Sequence, residues 1–154
     1  MKRKNRNNIR CLILLLSVCF LSCKEKINVK IVDYVEKNCV LKNQKDGCIV
    51  DLKSIIDFEW DTLYVFPSWS MTEDIANALG LEYNKNEVKG DTKRIILVKD
   101  GKIIKDEDYS VWGKYGLIFE YTDWPNQIIK YSASRFIVRK IQNNNTYFYK
   151  LEPL

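Results

Sequence analysis

Between Glu59 and Gly80 the chain reads as strand, turn and helix in immediate succession, and no other stretch restricts the fold as tightly. Thr62 to Phe66 is a β-branched and aromatic run with apolar residues at Leu63, Tyr64, Val65 and Phe66, so both faces of a strand would be apolar. Such a strand must be covered on both sides, and Pro67 ends it. Ser70 followed three residues later by Glu73 has the form of a capping box, and Glu73 with Asp74 suits the positive end of a helix. Ile75, Ala78 and Leu79 form the apolar stripe of that helix, and Gly80 before Leu81 is a stop signal.

The rest of the chain can be arranged around this block. Val29, Val32 and Val35, flanked by Ile31, recur at helical spacing and predict a short amphipathic helix ahead of Asn38, with a strand as the alternative. Cys48 to Val50 is apolar, and Asp51 is placed to cap a short helix with Leu52, Ile55 and Ile56 on one face. Leu81 to Asp91 is polar and predicts an exposed connection. Arg94 to Lys99, the pair Asp100 and Gly101, and Lys102 to Lys105 spell a tight hairpin, because Asp followed by Gly accepts the positive φ angles of a primed turn. The four apolar residues Ile95 to Val98 make its first arm an interior strand, and the polar second arm belongs nearer an edge. Asp106, Glu107 and Asp108 read as an acidic turn. Further strands are expected at Leu117 to Tyr121, Ser134 to Ile141 and Thr146 to Leu151, with turns at Asp123 to Asn126 and Gln142 to Asn145. Helices come first and strands in hairpins follow. That segregation predicts a single α+β domain, a mainly antiparallel sheet with its short helices on one face.

The amino terminus is of a different kind. Lys2, Arg3, Lys4, Arg6 and Arg10 precede the apolar run Cys11 to Leu21, the order of a secretory signal. An uncleaved anchor is the alternative, but the run is about half of the roughly 20 residues that a membrane-crossing helix needs. The run closes on Phe20, Leu21, Ser22 and Cys23, which resembles the lipobox of bacterial lipoproteins, where a small residue precedes the cysteine that becomes acylated. The resemblance implies removal of residues 1–22 and lipidation of Cys23, with Cys19 as the rival site behind the bulkier Val18. Two or three acyl chains anchor a protein stably, whereas one binds only marginally. On this reading 1–22 is the signal, 23–30 a polar tether and 31–154 the domain. The expected place is the cell envelope, at the outer membrane or cell surface rather than the inner membrane; Lys24, Glu25 and Lys26 resemble the surface-export signals of some bacterial lipoproteins.

Loss of the signal changes the charge account. Of 25 basic residues five leave with it, and the remaining 20 equal the 20 acidic ones. The precursor charge of +5 is therefore no argument for nucleic-acid binding, which requires a retained basic stripe. Cysteine usage follows the same logic. Cys11 and Cys19 are removed and Cys23 is acylated, leaving Cys39 and Cys48 as a pair for one disulfide in an oxidising compartment, with two free thiols as the alternative.

Trp60, Asp61, Pro67, Gly80, Asp100 and Gly101 also resemble a group of small bacterial lipoproteins in which a Trp-Asp strand, a Pro-containing turn, a capped helix and a Lys-Asp-Gly hairpin recur. The resemblance covers less than half of the mature chain. It implies a single envelope domain and brings no activity with it.

Histidine is absent, which removes the commonest general base and transition-metal ligand. A Ser-His-Asp triad or Cys-His pair cannot be built from this chain, and no cofactor or metal motif is present. Ser68 or Ser70 with a lysine, and the carboxylates Glu59 and Asp61 with Glu73 or Glu120, are the residual catalytic candidates. Helix-dipole and strand-end roles explain those acids equally well. Asp106 to Asp108 lacks the glycine and alternating oxygens of a calcium loop. What stands out is aromatic: Trp69, Trp112, Trp124, Tyr109, Tyr115 and Tyr121 fall in or beside expected loops, where a ring can stack on a sugar or anchor an interface, or else fill the core. The functional expectation is a non-enzymatic, lipid-anchored envelope protein that binds another envelope protein or a glycan through Trp69, Trp112 and Trp124. An inhibitor or immunity-type lipoprotein and a carboxylate-pair glycan hydrolase are the alternatives.

Overall fold

The computed structural model describes residues 25–40, 48–120, 127–143 and 146–154. Helix α1 (Ile27–Val35) runs on into a π-helical turn, Glu36–Val40, and is followed by strand β1 (Cys48–Asp51), helix α2 (Leu52–Ile55), strand β2 (Thr62–Phe66) and helix α3 (Thr72–Leu79). Strands β3 (Thr92–Lys99), β4 (Lys102–Ser110), β5 (Leu117–Phe119), β6 (Gln127–Lys130), β7 (Arg135–Asn143) and β8 (Thr146–Pro153) complete the order. The fold is α+β, as the segregation of elements predicts. The strands divide between two four-stranded sheets, β1-β7-β8-β5 and β4-β3-β2-β6. Every pairing is antiparallel except that of β5 with β8.

One core joins both sheets. Leu63, Val65, Ile95, Leu97 and Ile129 of the second sheet meet Val50, Phe136, Val138, Tyr149 and Leu151 of the first, and Ile27, Ile31, Val32 and Val35 of α1 pack among them. Each such side chain stabilises the fold by about 1.5–3 kcal/mol relative to exposure. A smaller cluster, Phe66, Ile75, Val88 and Ile96, lies on the other side of β2 and β3, because alternate residues of a strand face opposite ways. It is α3 that covers this side. The two-faced apolar pattern of β2 thus has its counterpart in helices on both sides of the second sheet, where the sequence reading put them on one.

A strand with two apolar faces fixes its register poorly by pattern alone. Here the strand entrance supplies the fix. The Asp61 carboxylate accepts from Asp100 N at 2.7 Å and from Lys99 Nζ at 2.9 Å, and Asp61 N donates to Val98 O at 2.8 Å. In the hairpin turn itself Asp100 (φ 48°) and Gly101 (φ 68°) both adopt the left-handed conformation expected of that pair. β3 is interior and β4 is an edge, also as expected.

Several boundaries and roles differ from the sequence reading. Ile27 is fully buried and begins α1, so residues 27–30 of the expected tether are helix instead. The capping box does not form: the Ser70 hydroxyl donates to Pro67 O at 2.9 Å, and Met71 is the N-cap residue without a side-chain bond. Asp51 does cap α2, accepting from Lys53 N at 3.1 Å, and Gly80 (φ 64°) closes α3. The acidic run Asp106 to Asp108 is strand rather than turn, because alternation sends Asp106 and Asp108 to Arg94 on one face and Glu107 to Lys105 and the Ile27 N–H on the other. The connection 81–91 is not wholly exposed, since Val88 is a core residue. Strand β6 had no signal of its own. It exists because Ile129 completes the core opposite Leu63. Residues 41–47 between the cysteines and the turn at Asp123 to Asn126 lie outside the described residues, as do 144–145 of the turn expected over Gln142 to Asn145, whose first two residues instead belong to β7. Cys39 in the π-helical turn and Cys48 in β1 are bonded, with Cα atoms 5.4 Å apart, which joins the end of α1 to the first sheet.

Candidate functional site

Where β2 ends, Pro67 to Ser70 makes a turn closed by Ser70 N to Pro67 O at 3.3 Å. Its third residue is Trp69, at φ 69°. That position in a turn of positive φ ordinarily belongs to glycine or asparagine, and a bulky residue there costs about 1–2 kcal/mol. The surrounding structure holds it in place. Trp69 N donates to Val88 O at 2.8 Å, Val88 N donates to Ser70 O at 3.0 Å, and the Ser68 hydroxyl donates to Thr92 O at 2.7 Å. The buried Val88 side chain nails the facing loop to Phe66 and Ile75. Gly90 lies against the indole so closely that a Cβ there would come within 2.7 Å of Cζ2. A strained backbone, a braced ring and 68 % exposure coincide at Trp69. Nothing about folding alone asks for that combination.

The facing loop is held from below by Arg94, which is only 4 % exposed. Its guanidinium forms a fork on Asp108, Nε to Oδ1 at 2.5 Å and Nη2 to Oδ2 at 2.8 Å, while Nη1 donates to the Tyr83 hydroxyl at 2.8 Å and to Asn86 O at 2.7 Å. Tyr83 in turn donates to Asp106 Oδ2 at 3.0 Å, and Lys85 Nζ pairs with the same oxygen at 3.1 Å. The bidentate bond to Asp108 raises the Arg94 pKa further, so the cation persists. Burial, and then the negative Asp106, push the Tyr83 hydroxyl up to about 12, so it remains a donor. This network is a rivet for residues 82–88.

Beside Trp69 the two loops enclose an open groove of about 400 Å³ lined by Met71, Thr72, Asn86, Glu87 and Lys89. The Thr72 hydroxyl donates to Lys85 O at 2.7 Å. The side chains of Asn86, Glu87 and Lys89 make no hydrogen bond or ion pair with another described residue. Three polar side chains without a partner among the described residues therefore line this groove, and the Trp69 turn borders it through Met71.

Trp112 lies at the same end of the second sheet. Val111 N donates to Asp91 O at 3.4 Å, which links the Trp112 loop to the strand that follows Gly90. The ring is 46 % exposed and meets Phe148 edge-on, with centroids 5.8 Å apart. Trp124 and Tyr121 lie outside the described residues, as does Cys23. Tyr109 is not a loop aromatic: it is buried in β4 opposite Lys93, and burial raises its hydroxyl pKa. Tyr115 is half-buried against the core.

The residual catalytic candidates are engaged separately. Asp61 holds the hairpin, Glu120 pairs with Lys150, and Glu73 stands in the first turn of α3. The Ser68 and Ser70 hydroxyls are both committed to backbone carbonyls. Among the described residues no group of three potential ligands is placed to hold a metal, and no helix is long and apolar enough to cross a membrane. No protein-family model matches this sequence, and no curated protein or solved structure matches it significantly.

Sequence reasoning singled out Trp69 and missed its groove. Asn86, Glu87 and Lys89 lie in a stretch with no periodicity, and the one signal available was the isolated Val88 followed by Gly90.

Proposed function

We propose that this chain is a lipid-anchored cell-envelope protein that binds an envelope glycan through Trp69 and carries out no reaction of its own. The observation that carries the binding is Trp69 itself, an exposed indole held at positive φ and braced by Gly90. A rigid aromatic plane offers a stacking surface for the apolar face of a sugar at little further entropic cost. Asn86, Glu87 and Lys89 then supply acceptors and donors for its hydroxyls. The composition favours a glycan over a protein, because lysine and glutamate are depleted where protein interfaces bury their hot spots. The envelope location rests on the basic and apolar amino terminus and on the pair Ser22 and Cys23.

The test is titration of the purified lipidated protein with soluble fragments of cell-wall and outer-surface glycans, read by tryptophan fluorescence and calorimetry. At least one glycan class should bind, and Trp69→Ala should weaken it by about tenfold or more, equivalent to about 1.4 kcal/mol. Equal affinity of wild type and Trp69→Ala for that glycan defeats the assignment of Trp69. If no glycan binds and crosslinking through position 69 captures a protein, the inhibitor or immunity-type reading takes its place.

A further inference from the structure

Helix α1 is tied at its first residues to the second sheet and to the Trp112 loop. The Ile27 N–H donates to the Glu107 carboxylate, Lys26 Nζ donates to Asp108 O at 2.8 Å, and Asn28 Nδ2 donates to Tyr115 O at 3.1 Å. Cys23 is four residues before Ile27. Four residues span at most about 14 Å even when fully extended. An acyl group on Cys23 therefore keeps the membrane within about that distance of the start of α1, so the face around α1's first residues is the one nearest the bilayer.

The loop 111–116 lies on that face. Its backbone is a closed turn, with Gly116 N donating to Gly113 O at 2.8 Å and Gly113 at φ 86°. The Trp112 ring meets Phe148 at nearly a right angle with about half of the residue exposed, and Lys114 follows two residues later with its ammonium 4.9 Å above the Tyr115 ring. An indole partitions to the level of lipid headgroups, where its apolar body and its N–H are both accommodated, and lysine stems reach the phosphates from the same depth.

We infer that the loop 111–116 rests on the bilayer that anchors the chain, with the Trp112 indole at the headgroup level. The inference depends on lipidation at Cys23, which belongs to the function proposed above. It assigns the two exposed tryptophans among the described residues different work: Trp69 takes the ligand and Trp112 takes the membrane. Affinity for the bilayer comes from the acyl chains; Trp112 sets the orientation.

The experiment uses the lipidated full-length protein in phosphatidylcholine and phosphatidylglycerol vesicles whose acyl chains carry bromine, a short-range quencher of tryptophan. Wild type and Trp112→Phe are compared after flotation; phenylalanine keeps the contact with Phe148. Both should float with the vesicles, and Trp112→Phe should lose more than half of the bromine-quenched emission. If both proteins float and the quenched emission is the same, the orientation inferred here is overturned while the anchor stands. If the wild type does not float, the lipid anchor fails and this inference with it.

Discussion

The turn at Asp100 and Gly101 and the turn at Pro67 to Ser70 both place backbone in the left-handed region, and they do so with opposite residue types. In the hairpin, glycine bears φ 68° with nothing within 4 Å of a Cβ, aspartate tolerates φ 48°, and Asp61 closes the turn from the neighbouring strand. In the other turn a tryptophan bears φ 69° and is held there by Val88, Gly90 and the loop riveted on Arg94. The first turn makes its own conformation. The second has its conformation imposed, at a local cost that the rest of the domain offsets. This cost, together with the exposed ring, is the observation on which the proposed binding role of Trp69 rests.

The comparison breaks most visibly at Arg94. Arg94→Met leaves Asp108, the Tyr83 hydroxyl and the Asn86 carbonyl without their shared donor and takes away the cation 3.7 Å from Asp106, and removal of one partner from a buried network costs about 3–5 kcal/mol. Denaturant unfolding should show that loss. Amide exchange should show it unevenly, with protection at Val88 falling more than at Asp100. Uniform loss at both turns would mean that Arg94 supports the whole sheet rather than the Trp69 platform.

Next in size is an exchange of residue types. Gly101→Ala should destabilise by about 1–2 kcal/mol through left-handed strain alone, since space is open. Trp69→Gly should stay within about 1 kcal/mol of wild type, because relief of strain opposes lost packing and added chain entropy. Thermal melts of the two variants decide this. A Trp69→Gly loss as large as that of Gly101→Ala would show that Trp69 is structural, and the binding proposal would lose its main support.

The smallest effect concerns pH. The backbone bond from Asp100, then Lys99, hold the Asp61 carboxyl below its ordinary value of 3.8. A depressed carboxylate contributes stability above the unfolded value, and that contribution disappears as pH falls through the folded one. Wild type should therefore lose more stability than Asp61→Asn between neutral pH and about pH 3. Parallel acid titrations of the two proteins would remove Asp61 from its place in the hairpin.

Local chemistry accounts for most of what could be read in advance. The hairpin, the strand Thr62 to Phe66, the cap at Asp51 and the stop at Gly80 are properties of a few adjacent residues, and each stands in the structure where those residues put it. The capping box failed because the Ser70 hydroxyl bonds Pro67 O within a turn that is held through the Ser70 carbonyl by the N–H of Val88, a partner eighteen positions away that no local rule can weigh. The acidic run at Asp106 to Asp108 was illegible for the same reason: its meaning as strand depends on a buried arginine on the strand opposite. The groove at Asn86, Glu87 and Lys89 has no pattern at all and exists only because Val88 and Arg94 hold its loop against the turn.

By itself the sequence determined the α+β class, the two-faced central strand, the tight hairpin and the exclusion of histidine chemistry, because propensity, alternation and composition are local quantities. Tertiary structure decided the split into two sheets, the helices on both sides of the second, the strand β6, and above all the left-handed backbone at Trp69. Each of these depends on contacts between distant residues, whose combined burial can outweigh a local preference of one or two kcal/mol, and that balance is not written in any single stretch of chain.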